Sequence, residues 1–144
     1  MTPTRWILLV LEDGLFPGER ISYTVKLAKR MGCAISILML PGNSLQETGI
    51  HGEEAEMMMH TLDMINGDGV YAKGVIMPGD KASAFLKHLA LTGSLTIIVW
   101  GGQEEIEKGI NRKNKDAWFT KVKSAIECPV VIPAAKARRK SRAV

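Results

Sequence analysis

The sequence is built from short apolar segments that alternate with amphipathic ones, and this order restricts the fold to a few α/β architectures. The first segment, Trp6–Leu11, is six apolar residues in a row. An uninterrupted run of this length is typical of a strand that is covered on both faces, as in a parallel sheet. Apolar composition and flanking turn residues predict five strands, at Trp6–Leu11, Ala34–Leu40, Val70–Met77, Leu95–Trp100 and Val130–Ile132.

Four helices are predicted between these strands. In the first helix, Ile21, Val25 and Ala28 recur at spacings of four and three, which places them on one face, and Gly32 is suited to end the helix. Strands that alternate with helices form a parallel sheet, and right-handed crossovers place helices on both of its faces. The predicted fold class is therefore α/β, a single doubly wound, Rossmann-like sheet of five parallel strands. The predicted helices are Glu19–Met31, Glu53–Asn66, Lys81–Thr92 and Asp116–Ile126.

The positive charge of the chain is concentrated at its C-terminus. The formal net charge is +4, from 19 basic and 15 acidic residues, but 5 of the basic residues lie within 136–142. Without them, 14 basic residues stand against 15 acidic ones, so the rest of the chain is close to neutral. We predict a folded domain over residues 1–134 and a disordered basic tail over residues 135–144. The tail lacks interleaved aromatic residues, so a solubilising role is favoured over the alternative of nucleic-acid binding.

Cysteine usage and hydropathy indicate the compartment. Cys33 and Cys128 lie 95 positions apart, which fits neither a disulfide framework nor a paired-thiol metal site and suits a reducing environment. The longest apolar run has 6 residues, whereas a membrane span needs about 20. Glu12 and Asp13 follow that run directly, and no small-residue cleavage site occurs, which argues against a signal peptide. We therefore predict a cytoplasmic protein without a membrane span.

Four segments, taken in order, resemble the universal stress protein family. The resemblance covers almost the whole chain and implies the same α/β fold, a role in the stress response and a dimer that pairs through its last strand. The segments are Asp13-Gly14 with the helix start Glu19-Arg20, Gly69-Val70 through Gly79, Leu95 through Gly101, and Cys128-Pro129-Val130-Val131.

The loop after the fourth strand departs from the pattern shared by the ATP-binding members of that family. In those members, a second glycine follows the first after two residues, and a glycine followed by serine or threonine comes after nine more. The glycines let backbone N–H groups approach phosphate. Counted forward from Gly101, the second glycine position holds Glu104 and the final pair falls on Asn114-Lys115. Counted backward from Cys128-Pro129, the final pair falls on Asp116-Ala117. Because carboxylates would adjoin phosphate, we predict that the chain does not bind ATP through this loop.

Part of the nucleotide pocket implied by the resemblance is retained. Asp13 matches the acidic residue that contacts the ribose and metal region in ATP-binding members, and Leu40 matches the residue whose backbone faces adenine. With Gly101 and Gly102 they form the candidate pocket of an alternative function, a divergent protein that binds ATP or another adenine nucleotide. For Asp13-Gly14, an ordinary turn is favoured over contact with a ligand. Trp100 either fills the adenine space or belongs to the core, and we favour the core.

No catalytic arrangement is recognisable. No nucleophile stands beside a base at a known spacing, and the nucleophile-elbow, Walker and dinucleotide-binding motifs are absent. Glu56 and His60 are four apart on one helix, but nothing fixes His51 near them, so exposed ion pairing is favoured over a metal site. We predict no enzyme activity, no metal and no cofactor. Slow ATP hydrolysis would follow only from the nucleotide-binding alternative.

The last strand predicts a homodimer. Val130, Val131 and Ile132 form an apolar strand at the end of the sheet, and such an edge invites pairing with another chain. Dimers with two-fold symmetry are also the commonest oligomers, and the resemblance implies antiparallel pairing of this strand. The sequence therefore predicts a dimeric binding or regulatory module that acts in the stress response.

Overall fold

The computed structural model describes residues 5–42, 52–92, 95–101, 118 and 122–133, so the predicted tail lies outside it. The described elements alternate between strand and helix, in the order that the apolar segments predict. They are β1 (Trp6–Glu12), α1 (Gly18–Met31), β2 (Ala34–Leu40), α2 (Gly52–Gly67), β3 (Ala72–Ile76), α3 (Lys81–Thr92), β4 (Ile97–Trp100), a 3₁₀ turn (Lys123–Ala125) and β5 (Val130–Val131).

The strands form one parallel sheet in the order β3-β2-β1-β4-β5. The central strand β1 pairs with β2 over its whole length, from Trp6 opposite Ala34 to Glu12 opposite Leu40. The strands β2 and β3 lie on one side of β1, and β4 and β5 lie on the other. The reversal between β1 and β4 is the switch point at which doubly wound folds bind ligands. The predicted fold class is confirmed.

Helices cover both faces of the sheet, because successive residues of each strand point to opposite sides. One face packs against α1 and α2, and its buried residues include Ile7, Leu9, Leu11, Ile21, Val25, Met58 and Ile65. The other face packs against α3 and the segment near Val122, and its buried residues include Leu8, Val10, Leu38, Phe85, Trp100 and Val122. Among the described helices, none is both long and apolar enough to cross a membrane.

The end of α1 follows the prediction, whereas the last predicted helix ends differently. Gly32 adopts a left-handed conformation (φ 69°) and its N–H donates to the carbonyl oxygen of Ala28, which closes the helix. Within the predicted helix Asp116–Ile126, Trp118 and Val122 are helical, but the following turn is 3₁₀ and Ile126 is extended. The remaining residues of that segment lie outside the described part. A 3₁₀ turn is a common helix end, and here the chain has only a few residues in which to turn into β5.

His88 of α3 is a buried titratable side chain. It is 9% exposed and belongs to the face of α3 that packs against the sheet. Burial, and to a smaller extent the charge of Lys73, lower the pKa of His88 below its usual value of 6.5. The imidazole is therefore neutral near pH 7.

Stability is expected to fall below about pH 6.5, because the unfolded chain then binds a proton that folded His88 resists. Above that pH the contribution of His88 is fully present, and below it one histidine accounts for at most about 1.4 kcal/mol per pH unit. Urea unfolding of the wild type and of His88→Gln at about pH 7.5 and about pH 5.5 tests this. The wild type should lose more stability than the variant on acidification. Equal losses would mean that His88 is protonated as readily in the folded chain as in the unfolded one.

Candidate functional site

Three of the four predicted pocket residues lie at neighbouring strand ends. Asp13 directly follows β1, Leu40 ends β2 and Gly101 directly follows β4. The backbone N–H of Asp13 donates to the carbonyl oxygen of Leu40 at 3.0 Å. The switch point between β1 and β4 therefore adjoins Asp13 and Gly101. Gly102 lies outside the described residues.

Asp13 and Gly14 form a tight turn at the end of β1. Both have positive φ angles, 57° and 74°, and the N–H of Leu15 donates to the carbonyl oxygen of Glu12 at 3.1 Å. Two left-handed central residues define a type I′ turn, and aspartate tolerates this conformation better than most residues do. The structure thus supports the interpretation of the dipeptide as a turn. It also places the carboxylates of Glu12 and Asp13 where one cation reaches both.

That cation is the ammonium group of Lys81, the first residue of α3. Its Nζ donates to Oε1 of Glu12 at 2.8 Å and to Oδ1 of Asp13 at 2.9 Å. The side chains of Lys81, Glu12 and Asp13 are 22%, 3% and 40% exposed, so the Lys81–Glu12 pair is mostly buried. Burial by itself would lower the pKa of Lys81, but the hydrogen bonds and charges of the two carboxylates together outweigh it and raise this pKa above 10.5. Lys81 therefore remains a cation at this edge of the sheet. We refer to the surroundings of Glu12, Asp13 and Lys81 as the cleft, because doubly wound folds bind ligands in the crevice at this switch point.

The start of α3 determines where Lys81 lies. Oδ2 of Asp80 accepts hydrogen bonds from the N–H and the Oγ of Ser83, both at 3.0 Å, which is the geometry of a helix N-cap. The N–H of Gly79 donates to the carbonyl oxygen of Gly42 at 3.2 Å and ties the two loops together. Gly42 has a positive φ of 79°, a conformation that favours glycine, and a Cβ there would be in ordinary van der Waals contact with Cε of Lys81 at 3.4 Å.

Aromatic side chains pack next to Glu12 on the buried side of the cleft. Nε1 of Trp118 donates to Oε1 of Glu12 at 3.4 Å, and its ring centre lies 5.1 Å from that of Trp100 and 5.6 Å from that of Phe85. Trp100 is fully buried, as the core interpretation predicts. Oε2 of Glu12 is buried as well and has no hydrogen-bond partner among the described residues.

Gly101 lacks a side chain for a packing reason. A Cβ at this position would lie 2.8 Å from Cδ2 of Leu11, 3.1 Å from Cδ1 of Leu9 and 3.2 Å from the carbonyl oxygen of Val10. A Cβ would therefore require the buried side chain of Leu11 to shift, and Leu9 and the backbone at Val10 to give by a few tenths of an ångström. Close approach of β4 to β1 therefore explains the glycine whether or not phosphate ever lies nearby.

Sequence reasoning did not single out Glu12 or Lys81, although one signal was present. A lysine at the first position of a helix is unfavourable to the helix dipole, which implies an acidic partner. The loops after β1 and β3 also lie at the same edge of a parallel sheet, so Glu12 and Asp13 are possible partners in addition to the adjacent Asp80. Which of the possible partners Lys81 takes depends on strand order, and the sequence alone left that open.

The metal constellation considered from the sequence does not assemble within the described residues. Glu56 and His60 of α2 line a shallow cleft beside Gly14, while His51 lies outside the described part of the chain. In that part, no group of three or more histidine, cysteine, aspartate or glutamate side chains is arranged to hold a metal ion.

Comparison with solved structures identifies the fold. The chain is similar to a protein of the universal stress protein family from Burkholderia pseudomallei (TM-score 0.63, 15% identity, 90% of this chain and 96% of that one). It is also similar to a universal stress protein from Archaeoglobus fulgidus (0.64, 14%, 90% and 98%). A third match is the universal stress protein UspA from Lactobacillus plantarum (0.65, 13%, 92% and 100%).

The chain has the universal stress protein fold, and the resemblance drawn from its four sequence segments is confirmed at the level of fold. No family model matches the sequence, and no curated protein matches it either. The likeness therefore rests on the arrangement of the backbone rather than on shared residues.

Proposed function

We propose that this chain is a dimeric, non-catalytic binding or regulatory module that acts in the cytoplasmic stress response, and that it does not bind ATP through the glycine loop of its structural relatives. The observation that carries this proposal is the ammonium group of Lys81, which is hydrogen-bonded to both Glu12 and Asp13. In an ATP-binding cleft, the carboxylate matching Asp13 would serve the ribose and the metal. Here it already neutralises a cation.

A metal-bound nucleotide would meet electrostatic opposition at this place. A divalent cation on Asp13 would approach the ammonium of Lys81, and two like charges about 4 Å apart repel by about 1–4 kcal/mol for a single charge each. Lys81 does not leave easily, because its departure would strand the buried carboxylate of Glu12. The packing explanation for Gly101 removes one further argument for a phosphate site.

Calorimetric titration with ATP, ADP and AMP, with and without Mg²⁺, tests this proposal. The wild-type protein should give no saturable binding. If it binds a nucleotide, Asp13→Ala and the matched variant Asp68→Ala decide where, since Asp68 pairs with Lys29 on an exposed surface away from the cleft. The proposal would be contradicted if Asp13→Ala abolished nucleotide binding while Asp68→Ala retained it.

The same contact also favours the second candidate function, a divergent adenine-nucleotide binding protein. The side chain of Lys81 is 22% exposed, and its ammonium has a third N–H beyond those donated to Glu12 and Asp13, which a phosphate oxygen would accept. In that case Lys81→Met would weaken nucleotide binding, and any slow ATP hydrolysis would be lost with it. If the first proposal holds, neither the wild type nor Lys81→Met binds nucleotide.

Homodimerisation through the last strand belongs to the same proposal. Its support is the position of β5 at the edge of the sheet, where only β4 pairs with it among the described strands. Val130, Val131 and Ile132 are each partly exposed there, although β5 itself ends at Val131, one residue earlier than predicted.

Val131→Glu is expected to convert the protein from a dimer to a monomer, because a charge on a paired edge strand would be buried between two copies. Size-exclusion chromatography with light scattering gives the mass. The control is Met59→Glu, which changes a residue that is 61% exposed on α2 and should leave the dimer intact. A dimer that survives Val131→Glu but not Met59→Glu would move the interface to α2.

A further inference from the structure

A half-open cavity lies beside the edge strand β3, on the sheet face that α3 covers, and extends to the amino ends of β1 and β4. Its lining includes the first residue of β1, Trp6, and the last residue of α3, Thr92. It also includes Leu95, which precedes β4. Its volume is about 410 Å³, within the range of about 300–1,000 Å³ typical of small-molecule sites. None of its lining residues belongs to the cleft around Glu12 and Asp13.

The walls of this cavity are mainly apolar. The edge strand β3 contributes Val75, and α3 contributes Leu91, which is 75% exposed. Met77 and Leu95 complete the apolar surface. Exposed apolar side chains that line a concavity provide a place for the apolar part of a ligand.

Polar groups converge on the same cavity. Ser36, the polar residue of the otherwise apolar β2, stands opposite Lys73 of β3, so both side chains emerge on the sheet face that lines the cavity. His88 reaches the cavity from α3, and its Nε2 is buried without a hydrogen-bond partner among the described residues. The ammonium of Lys73 lies 4.6 Å from the centre of the Trp6 ring, a cation–π contact that keeps it beside the cavity.

The charge at this cavity is positive. Lys73 lines it, and no carboxylate does so among the described residues. His88 is neutral near pH 7, so it offers one N–H donor and one acceptor rather than a second charge. A cation next to an unpartnered imidazole nitrogen, above an apolar wall, suits a ligand with one anionic end and one apolar end.

We propose that this cavity binds a small amphipathic carboxylate. Lys73 pairs with the carboxylate, and His88 donates a second hydrogen bond to it where the imidazole carries its proton on Nε2. The apolar body of the ligand lies against Val75, Leu91 and Leu95. This site is separate from the nucleotide cleft, so it stands whichever of the two proposed functions holds.

Octanoate is a suitable probe, with octan-1-ol as the uncharged molecule of the same chain length. Titrations of ¹⁵N-labelled protein, followed by proton–nitrogen correlation spectra, should show saturable shifts at Val75, His88 and Leu91. Octanoate should bind about tenfold more tightly than octan-1-ol, because a charge-assisted contact accounts for the difference. Lys73→Met should remove this difference, and Lys87→Met, an exposed lysine of the same helix as His88 but outside the cavity, should leave it unchanged.

A variant that fills the cavity provides an independent readout. Val75→Trp should block octanoate and octan-1-ol alike, while the thermal transition shows that the fold is retained. Three results would overturn the proposal: the absence of saturable octanoate binding, shifts that map to other residues, or equal octanoate affinity in the wild type and Lys73→Met.

Discussion

Lys81→Met is expected to lower the free energy of unfolding by about 3 kcal/mol, which is the scale measured when one partner of a buried ion pair is removed. The reason is the carboxylate of Glu12, which is almost fully buried and depends on Lys81 for its charge compensation. Methionine keeps most of the apolar stem of lysine, so the loss reports the charge rather than the packing. Urea unfolding monitored by circular dichroism measures it.

Two controls separate the buried partner from the exposed one. Asp13→Asn removes only the 40% exposed carboxylate and should cost less than about 1 kcal/mol, as exposed ion pairs generally do. The double variant Lys81→Met with Glu12→Gln leaves no buried charge and should recover part of the stability lost by Lys81→Met. If Lys81→Met costs no more than Asp13→Asn, the buried Lys81–Glu12 pair is not what stabilises this edge of the sheet.

Trp100→Ala is expected to cost about 4 kcal/mol, within the range for removing a large aromatic side chain from a core. Trp100 is fully buried on β4 and contacts Trp118, which in turn contacts Phe85 and Glu12. Its removal would leave a cavity next to Trp118, in the core below the cleft. Denaturant unfolding followed by circular dichroism gives the change without depending on tryptophan fluorescence.

The matched control for this prediction is Tyr71→Ala. Tyr71 is also an aromatic residue with an edge-to-face neighbour, Trp6 at 5.8 Å, but it is 60% exposed beside β3. Its removal should cost about 0.5–1.5 kcal/mol, the scale of the aromatic contact alone. Similar losses for Trp100→Ala and Tyr71→Ala would show that burial of Trp100 is not what stabilises this side of the sheet.

Most of the fold follows from local patterns in the sequence. The unbroken apolar run of β1 predicts a strand covered on both faces, and six of its seven residues are buried. Gly32 ends α1 in the left-handed conformation that a glycine after such a helix predicts. The strands β3 and β4 are shorter than predicted. The last helix departs most, because its end depends on how the chain turns into β5 rather than on the spacing of Trp118, Val122 and Ile126.

The candidate site was predictable only in part. Asp13, Leu40 and Gly101 could be placed at one edge of the sheet, since the carboxyl ends of parallel strands meet there. Lys81 could not be assigned to them, because it is 69 positions from Glu12 and its reach depends on the order β3-β2-β1 and on the N-cap at Asp80. The cavity beside β3 combines residues from four elements and from the segments after β3 and before β4, and no motif joins them.

The sequence by itself determined the class of fold and the departure from the ATP-binding loop pattern, because periodicity, turn residues and glycine spacing are properties of neighbouring residues. Only the tertiary structure decided that Lys81 neutralises Glu12 and Asp13, that Gly101 is required by packing against β1, and that His88 lies beside Lys73. These contacts join residues that are distant in sequence. Their energies depend on burial and on distances of a few ångströms, which are established only when the strands pair and the helices pack.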